Sequence, residues 1–267
     1  MKALEIIKFG SSLLKEQRIL SHSLDSEILL SKSLKKSREE ILINLEKEVE
    51  EKNVKIFNSF IQRRLKNEPI AYILEEKEFW SKKFNVNKDT LIPRPETELL
   101  VEKLSIIYQG KKISILDIGT GSGCIIISLL SSLKRSVGTG IDISKKAILV
   151  AKTNAFKHNM TNRIKFLNRP IENFFGKKFD LIVSNPPYIE RKDLKNLSDD
   201  IKKYEPRMAL DGGNDGLDLI TKVIYKSKNI LKINGMLALE IGNEQIKKVS
   251  KILIDNNFRI KQVIRDY

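Results

Sequence analysis

The sequence predicts an α/β fold in which a small helical bundle precedes a parallel sheet covered by helices on both faces. Two observations support this. From residue 113 onward, short apolar segments typical of strands alternate with amphipathic segments typical of helices, and strands separated by helices pair in parallel. Residues 1–75 instead place apolar side chains at helical spacing, although Gly10 is expected to interrupt the first helix. We therefore expect a helical domain at 1–75 and an α/β domain at 93–267.

The residues between these domains, 76–92, have a composition of their own. Phe79, Trp80 and Phe84 lie close together in this stretch, and such aromatic enrichment favours a β-hairpin. Pro93 then interrupts regular structure. We expect residues 76–92 to form a hairpin connector.

Residue types that build metal centres and disulfides are scarce. The chain of 267 residues has one cysteine, Cys124, and two histidines, His22 and His158. One cysteine excludes an intrachain disulfide and a thiolate cluster for zinc, and no spaced set of carboxylates offers another metal site. The start of the chain does not read as a signal peptide, and no run of about 18 apolar residues occurs. We expect a cytoplasmic protein with no metal and no membrane partner.

The net charge of +15 is unevenly distributed. Residues 1–80 are nearly neutral, and residues 81–267 carry almost the whole excess, mostly as scattered lysines. Net charge bears on association and not on the fold. It leaves two interpretations open, a solvated basic surface or a surface for an acidic partner such as a nucleic acid.

A glycine-rich turn between a predicted strand and a predicted helix is the first candidate binding site. Its sequence is Asp117-Ile-Gly119-Thr-Gly121-Ser-Gly123, and glycines let backbone N–H groups approach a ligand closely. Asp142 ends the next strand, where it could accept hydrogen bonds from a ribose diol. The GxGxG spacing differs from that of dinucleotide enzymes, and Asp117 would repel a pyrophosphate but suits the ammonium group of a methionine moiety. Taken alone, the loop fits a tight turn without a ligand equally well.

The second candidate site is Asn185-Pro186-Pro187-Tyr188, directly after a predicted strand. Two consecutive prolines fix φ and hold Asn185 in an extended conformation. The Asn185 side-chain oxygen and the Pro186 carbonyl could accept both hydrogens of a planar NH₂ group, on which Tyr188 could stack. An amide nitrogen is a poor nucleophile, so catalysis here would consist mostly of orientation and carbonyl electrostatics, without a strong general base. The alternative, a rigid surface turn, is disfavoured by the glycine loop in the preceding unit.

These motifs together resemble the PrmC/HemK family. LIPRPETELL, GTGSG after ILDI, NPPY after FDLIVS, and YEPRMALDGGNDGL occur in the family's order, and the match covers roughly residues 68–262. The resemblance implies a Rossmann-like class I S-adenosylmethionine-dependent methyltransferase sheet with a small N-terminal helical bundle. It also implies S-adenosyl-L-methionine as cofactor and, as substrate, the glutamine of the Gly-Gly-Gln motif in peptide chain release factors, methylated at N5. Residues 1–75 would then help to dock the release factor in a reaction that modulates translation termination.

The motifs and the resemblance together assign roles to individual residues. The catalytic residues would be Asn185, Pro186 and Tyr188. The substrate-binding residues would be Asn185, Pro186, Pro187, Tyr188, Arg94 and Glu205. The cofactor-binding residues would be Asp117, Gly119, Thr120, Gly121, Ser122, Gly123, Asp142, Ile171 and Asn185.

The resemblance extends to the surroundings of these residues. Glu96 and Thr97 would border the same site, and residues 204–216 would form a loop near its mouth. For Arg94 and Glu96 an ordinary role at a helix start or in solvent stays open.

The chain departs from the family pattern at three places. Pro170 and Ile171 replace an aspartate and an aromatic residue that flank the adenine in the family, so we expect apolar packing there. Glu75 replaces a common glycine before the connector. The chain stops at Tyr267, where a final antiparallel strand would form, so the sheet is expected to have an unpaired edge.

Two other functional classes fit parts of the sequence. An amino-methyltransferase acting on an exocyclic NH₂ of RNA or DNA bases uses similar chemistry, and the basic residues 81–267 favour it slightly. The sequence shows no base-recognition insertion and no aromatic-plus-basic platform, so we do not expect nucleic acid as the direct substrate. The third class is a non-catalytic cofactor-binding or docking protein, against which the glycine loop, Asp142 and NPPY argue together.

Overall fold

The computed structural model describes residues 1–265, which form two compact units. The first unit contains residues 1–76 together with residues 199–204. The second contains residues 77–198 and the chain from residue 205 onward. None of the helices described is both long enough and apolar enough to cross a membrane.

The secondary structure elements are numbered in chain order. The helices are α1 (Ala3–Glu16), α2 (His22–Leu34), α3 (Arg38–Ile43), α4 (Glu51–Leu65), α5 (Ile70–Leu74), α6 (Thr97–Ile107), α7 (Cys124–Ser132), α8 (Lys145–Lys157), α9 (Asp199–Tyr204), α10 (Asp218–Ile230) and α11 (Ile246–Asp255). The strands are β1 (Glu76–Phe79), β2 (Lys82–Asn85), β3 (Ser114–Ile118), β4 (Val137–Asp142), β5 (Ile164–Asn168), β6 (Phe179–Ser184) and β7 (Leu231–Leu239).

The first unit is built from α1 to α5 and α9. Its core consists of apolar side chains at helical spacing on α1, α2 and α4, among them Ile6, Leu29 and Phe57, each at most 1% exposed. Helix α1 continues through Gly10, so the expected interruption is wrong. A Cβ at Gly10 would lie 2.5 Å from the Phe57 ring and 2.7 Å from the Ser26 hydroxyl. The glycine therefore lets α1 approach α2 and α4 closely.

The second unit contains a parallel sheet with strand order β5-β4-β3-β6-β7. The order reverses next to β3, since the chain continues from β3 to β4 on one side and returns to β6 on the other. In open α/β sheets, ligands bind outside the carboxyl ends of the strands at such a switch point. The predicted α/β class, with a helical region before a parallel sheet, is confirmed.

The hairpin formed by β1 and β2 packs within the second unit. Phe79 and Phe84 are buried in the same core as α6 and α7. The Trp80 backbone N–H donates to Glu98 on α6 at 2.9 Å, and its indole N–H donates to the Ser132 hydroxyl of α7 at 3.3 Å. The segment expected to be a connector therefore contributes to the core of the α/β unit.

Strand β7 lies at one edge of the sheet. The chain after α11 forms no strand over residues 256–265. In the described part of the chain the sheet ends at β7, and the expected absence of a final antiparallel strand stays a prediction. The last two residues, 266 and 267, lie outside the described residues.

Candidate active site

The motifs identified in the sequence meet at the carboxyl edge of the sheet. Ile118 at the end of β3 pairs with Ile141 on β4 and with Ser184 on β6. The Ser184 hydroxyl also donates to the Ile118 carbonyl at 2.7 Å. The glycine loop after β3, Asp142 at the end of β4 and Asn185 after β6 are therefore neighbours at the switch point.

The glycine loop adopts backbone angles that side-chain-bearing residues rarely adopt. The φ angle is +71° at Gly119, +53° at Gly121 and +80° at Gly123. No atom lies within 4 Å of the position that a Cβ would take at Gly119. The loop thus faces open space, and a ligand could approach its backbone closely.

Asp117 is fully buried beneath this loop. Its Oδ2 accepts a hydrogen bond from the Thr120 hydroxyl at 2.7 Å, and its Oδ1 has no partner among the described residues. Burial raises the pKa of Asp117 to about 7. A buried carboxylate with an unused oxygen is stabilised by a bound cation, so this position fits the ammonium group of a methionine moiety.

Asp142 bonds to two backbone N–H groups and so fixes the glycine loop. Its Oδ2 accepts from Gly121 at 3.0 Å and its Oδ1 from Ser144 at 2.8 Å. Burial raises the pKa of Asp142, and these N–H groups oppose the shift. Each carboxylate oxygen can accept a second bond, so Asp142 can also bind ribose hydroxyls.

Ile171, where an adenine contact is expected from the sequence, lies in the hydrophobic core. Ile171 is 3% exposed and packs with Ile141 and Phe174. Ile143 directly follows Asp142 and is 54% exposed. Because the faces of adenine are apolar, Ile143 is a candidate contact that the sequence analysis did not single out. A contact between Ile171 and adenine stays a prediction.

Asn185 is held by two residues that are distant in the sequence. Its Nδ2 donates to the Thr97 hydroxyl at 3.2 Å, and that hydroxyl donates to Glu240 Oε2 at 2.6 Å. The Glu240 N–H donates to the Ser184 carbonyl at 3.0 Å, which fixes the end of β7 beside β6. The described residues donate no hydrogen bond to Asn185 Oδ1 or to the Pro186 carbonyl. Two acceptors therefore remain available, one directly after the other in the chain.

The backbone at Tyr188 is held by Gln245. The Gln245 Nε2 donates to the carbonyls of Tyr188 at 2.9 Å and Gly216 at 3.1 Å, and its Oε1 accepts from the Gly242 N–H at 3.0 Å. Gly216 has a φ of +74°, and a Cβ there would overlap the Tyr188 carbonyl. The Tyr188 ring is partly buried beside α10 and α11. Its stacking on a substrate amide stays a prediction.

Arg94 and Glu205 form an ion pair within the protein. Glu205 Oε1 accepts from Arg94 at 2.5 Å and its Oε2 accepts from the Ile92 N–H at 3.1 Å. The Glu205 side chain is 1% exposed and that of Arg94 is 30% exposed. The loop after Glu205 bonds to the segment after Pro187, since the Gly212 N–H donates to the Ile189 carbonyl at 2.9 Å. The pair thus anchors this loop, and substrate binding by either residue stays a prediction.

Sequence reasoning missed three polar residues that support the site. Besides Glu240 and Gln245, the buried Asn154 of α8 donates to the carbonyls of Ser122 at 2.9 Å and Asn85 at 3.0 Å. Asn154 lies on the apolar face of its helix, and a polar residue in such a stripe was a usable signal. Glu240 directly follows β7 and Asp142 ends β4, so the rule that ligands bind at the carboxyl ends of the strands could have found Glu240 as well.

Two family models match the chain. The PrmC N-terminal domain matches residues 5–74, and the Methyltransferase small domain matches residues 95–203. The second match contains the glycine loop, Asp142 and Asn185.

Known methyltransferases are similar to the whole chain. It is 41% identical to the release factor glutamine methyltransferase of Clostridium acetobutylicum, over 100% of this chain and 95% of that protein. It is 38% identical to the bifunctional methyltransferase of Rickettsia felis over 98% of this chain, but spans only about half (55%) of that protein. A solved methyltransferase structure from Pyrococcus furiosus covers 67% of this chain and 80% of its own, with a TM-score of 0.51 and 17% identity. That likeness shows the fold alone.

Proposed function

Since the chain belongs to the release factor glutamine methyltransferase family, we propose that it methylates the side-chain amide nitrogen of the glutamine in the Gly-Gly-Gln motif of peptide chain release factors. The chain is a methyltransferase. S-Adenosyl-L-methionine as the methyl donor, N5 of that glutamine as the acceptor and release factors as partners are the proposed parts. The modification would modulate translation termination.

The observation that carries the proposal is the pair of unused acceptors after β6. The Asn185 amide already uses its NH₂ group toward Thr97, so its Oδ1 is left for a ligand. The Pro186 carbonyl follows directly and is also unused within the described residues. A primary amide offers two N–H donors in one plane, which suits two adjacent acceptors. A hydroxyl substrate would satisfy only one of them.

The reaction then depends on how Asn185 and Pro186 hold the amide. Bound S-adenosylmethionine supplies an electrophilic methyl carbon attached to a sulfonium sulfur. With both N–H groups held, the nitrogen lone pair is directed out of the amide plane, where a new N–C bond can form as the methyl–sulfur bond breaks and its electron pair stays on sulfur. The methylated nitrogen loses one proton to water. The carbonyl dipoles stabilise the positive charge that develops on nitrogen, and orientation lowers the entropic part of the barrier.

The residues beside the acceptors fit this cofactor. The unpaired Oδ1 of Asp117 would accept from the methionine ammonium group. The glycine loop would lie against the methionine moiety, and Asp142 would bind the ribose hydroxyls. Ile143 would supply an apolar surface for the adenine.

We assign docking of the protein substrate to the helical unit. The PrmC N-terminal domain model matches residues 5–74 of this unit. Large apolar side chains are exposed there, including Phe9 at 50%, Leu20 at 98% and Ile43 at 83%. Exposed apolar side chains are a common feature of protein-binding surfaces.

The proposed substrate is tested by transfer of radiolabelled methyl from S-adenosylmethionine to three candidates. These are an intact release factor, the same factor with its Gly-Gly-Gln glutamine changed to alanine, and ribosomal RNA. We expect label in the intact factor alone. Label in RNA alone would replace the proposed substrate by an exocyclic amine, and equal label in both factors would place the methyl group elsewhere on the protein.

The docking assignment is tested with Leu20→Glu and Ile43→Glu. We expect the KM for the intact release factor to rise about 10-fold, because a charge would lie in an apolar contact, and the KM for a short Gly-Gly-Gln peptide to stay unchanged. The matched control is Ile233→Glu, which alters a 92% exposed residue of the second unit. An unchanged KM for the intact factor in both variants would refute docking through these residues.

A further inference from the structure

The side chains of Glu240, Thr97 and Asn185 form a hydrogen-bonded link from the end of β7 to the residue after β6. The Thr97 hydroxyl donates to Glu240 Oε2 at 2.6 Å and accepts from Asn185 Nδ2 at 3.2 Å. Thr97 is 2% exposed, so water does not substitute freely for either contact. The Ser184 carbonyl accepts from the Glu240 N–H at 3.0 Å, and Asn185 is the next residue after Ser184. Both ends of the link are thus fixed on neighbouring strands.

The donors and acceptors in this link allow only one arrangement. A hydroxyl has a single hydrogen to donate, and Thr97 donates it to Glu240 Oε2. Because Thr97 gives its hydrogen to Glu240, its oxygen can only accept from Asn185. Asn185 must therefore turn its NH₂ group toward Thr97, and its Oδ1 then points the other way. The reversed amide would set two oxygens against each other with no hydrogen between them.

This orientation matters because an asparagine amide is nearly symmetric in shape. A rotation by half a turn about its last bond exchanges oxygen and nitrogen with little change in volume. In the reversed state Asn185 would present its two N–H hydrogens to the substrate NH₂ group, which also carries two hydrogens. Such a contact would repel the substrate amide instead of binding it.

We propose that Glu240 and Thr97 are positioning residues that set the polarity of the Asn185 amide, so that its Oδ1 faces the nitrogen to be methylated. The inference rests on the proposed function, in that the acceptor is an NH₂ group. Glu240 accepts the only hydrogen of the Thr97 hydroxyl. The Thr97 oxygen therefore needs a donor on its other side, and the Asn185 NH₂ group is that donor. Neither residue needs to touch the substrate.

The first test compares Thr97→Val with Thr97→Ser in methyl transfer to a Gly-Gly-Gln peptide. Valine removes the hydroxyl at nearly constant volume, and we expect kcat to fall about 10-fold, the cost of one misplaced hydrogen bond. Serine keeps the hydroxyl and should restore most of kcat. The dissociation constant of S-adenosylmethionine should stay unchanged in both. Thr153→Val is the matched control, since among the residues that the structure describes the Thr153 hydroxyl bonds to the Leu149 carbonyl of its own helix and to nothing else. A kcat for Thr97→Val equal to that of the control would refute the inference.

The second test asks whether Thr97 acts through Asn185. In an Asn185→Ala background there is no amide to orient, so adding Thr97→Val should change kcat no further. Glu240→Leu frees the Thr97 hydrogen for Asn185 Oδ1, and we expect its loss of kcat not to add to that of Thr97→Val. Independent, additive losses in either combination would show that Thr97 and Glu240 act by another route.

A third measurement does not depend on the substrate. In ¹⁵N-labelled protein, the Asn185 side-chain NH₂ signals, identified by their absence in Asn185→Ala, should be protected from exchange and should shift in Thr97→Val. Unchanged signals would refute the link whatever the substrate is. Conversely, if the wild-type protein methylates neither the peptide nor the intact release factor but the signals respond as expected, the proposed function fails and the polarity link stands.

Discussion

Two parts of the same sheet edge are constructed differently. We call the glycine loop and Asp142 the cofactor side, and Asn185 and Pro186 the acceptor side. On the cofactor side, the glycine loop and Asp142 lie within residues 117–142, and Asp142 bonds to Gly121 only 21 positions away. On the acceptor side, Asn185 is held by Thr97 from 88 positions earlier, and Thr97 is held by Glu240 from 143 positions later. The cofactor side is thus held by short-range contacts, whereas the acceptor motif is held by residues that are far away in the sequence.

The two sides also differ in charge. The cofactor side contains two carboxyl groups, Asp117 and Asp142, whose pKa values are raised by burial. The acceptor side offers two neutral oxygens, those of Asn185 and Pro186. Under the proposed function we expect a division of labour in which the cofactor side determines affinity for the methyl donor and the acceptor side determines the rate of transfer. Substitutions on the two sides should therefore change different kinetic constants.

The strongest test of this division is Asn185→Ala. Loss of one of the two acceptors should lower kcat about 10²–10³-fold, as expected when orientation and carbonyl electrostatics carry the catalysis. Affinity for S-adenosylmethionine, measured by calorimetry, should be nearly unchanged. Asn196→Ala, at an exposed site in the same unit, is the control. Full activity in Asn185→Ala would disprove the amide-binding role.

Asp142→Ala should produce the opposite pattern. Removal of a charged acceptor for the ribose hydroxyls should weaken S-adenosylmethionine binding about 10–100-fold, while kcat at saturating cofactor stays close to that of the wild type. Calorimetry and saturation kinetics together give both constants. An unchanged dissociation constant would mean that the role of Asp142 is confined to the backbone bonds with Gly121 and Ser144.

Asp117→Asn should separate stability from binding through its dependence on pH. The pKa of Asp117 in the folded state, about 7, exceeds its ordinary value of 3.8 because of burial. The folded protein therefore binds this proton more tightly than the unfolded chain, and ionisation destabilises the fold as pH rises from about 4 to about 7. At pH 8 the cost is at most about 4 kcal/mol.

Asparagine cannot ionise, so the Tm of Asp117→Asn without cofactor should exceed that of the wild type at pH 8 and approach it toward pH 4. Thermal unfolding across this range provides the measurement. The variant should nevertheless bind S-adenosylmethionine more weakly, since it lacks a charge for the ammonium group. Wild-type and variant curves that run parallel from pH 4 to pH 8 would contradict the raised pKa.

The smallest effect is expected for a substitution at Glu75, which belongs neither to the cofactor side nor to the acceptor side. This residue ends α5 with a φ of +60°, in the region that favours glycine. Glu75→Gly should raise the free energy of unfolding by about 0.5–1 kcal/mol, measured by urea titration, and should leave kcat and cofactor affinity unchanged. Asn67→Gly, at a φ of +64°, is a matched control with a smaller expected gain, because asparagine tolerates this conformation better.

The same contrast explains what the sequence could and could not predict. The order of strands and helices and the glycine loop follow from local patterns, and the α/β class was predicted correctly. The hydrogen bonds that link Glu240, Thr97 and Asn185 could not be predicted, although each residue lies near a strand end or a helix start, because these bonds depend on which strands become neighbours. The prediction that Gly10 interrupts α1 was wrong for a related reason, since close helix packing outweighs the low helix propensity of glycine there.

Two further features depended on the fold in the same way. An isoleucine at position 171 and one at position 143 are indistinguishable by residue type, yet the first is 3% exposed and the second 54% exposed. The composition of residues 199–204 did not indicate that this segment belongs to the helical unit. Burial and long-range contacts, and not local propensity, determine both.

Helix α9 leaves the ribosome late, although it belongs to the unit that is made first. Its Tyr204 hydroxyl donates to the Lys66 carbonyl at 2.9 Å, at the end of α4. Domains generally fold as units during synthesis, the N-terminal one first. Here the N-terminal unit receives α9 only after β3 to β6 have been translated, so this unit cannot complete its folding before most of the sheet has been synthesised.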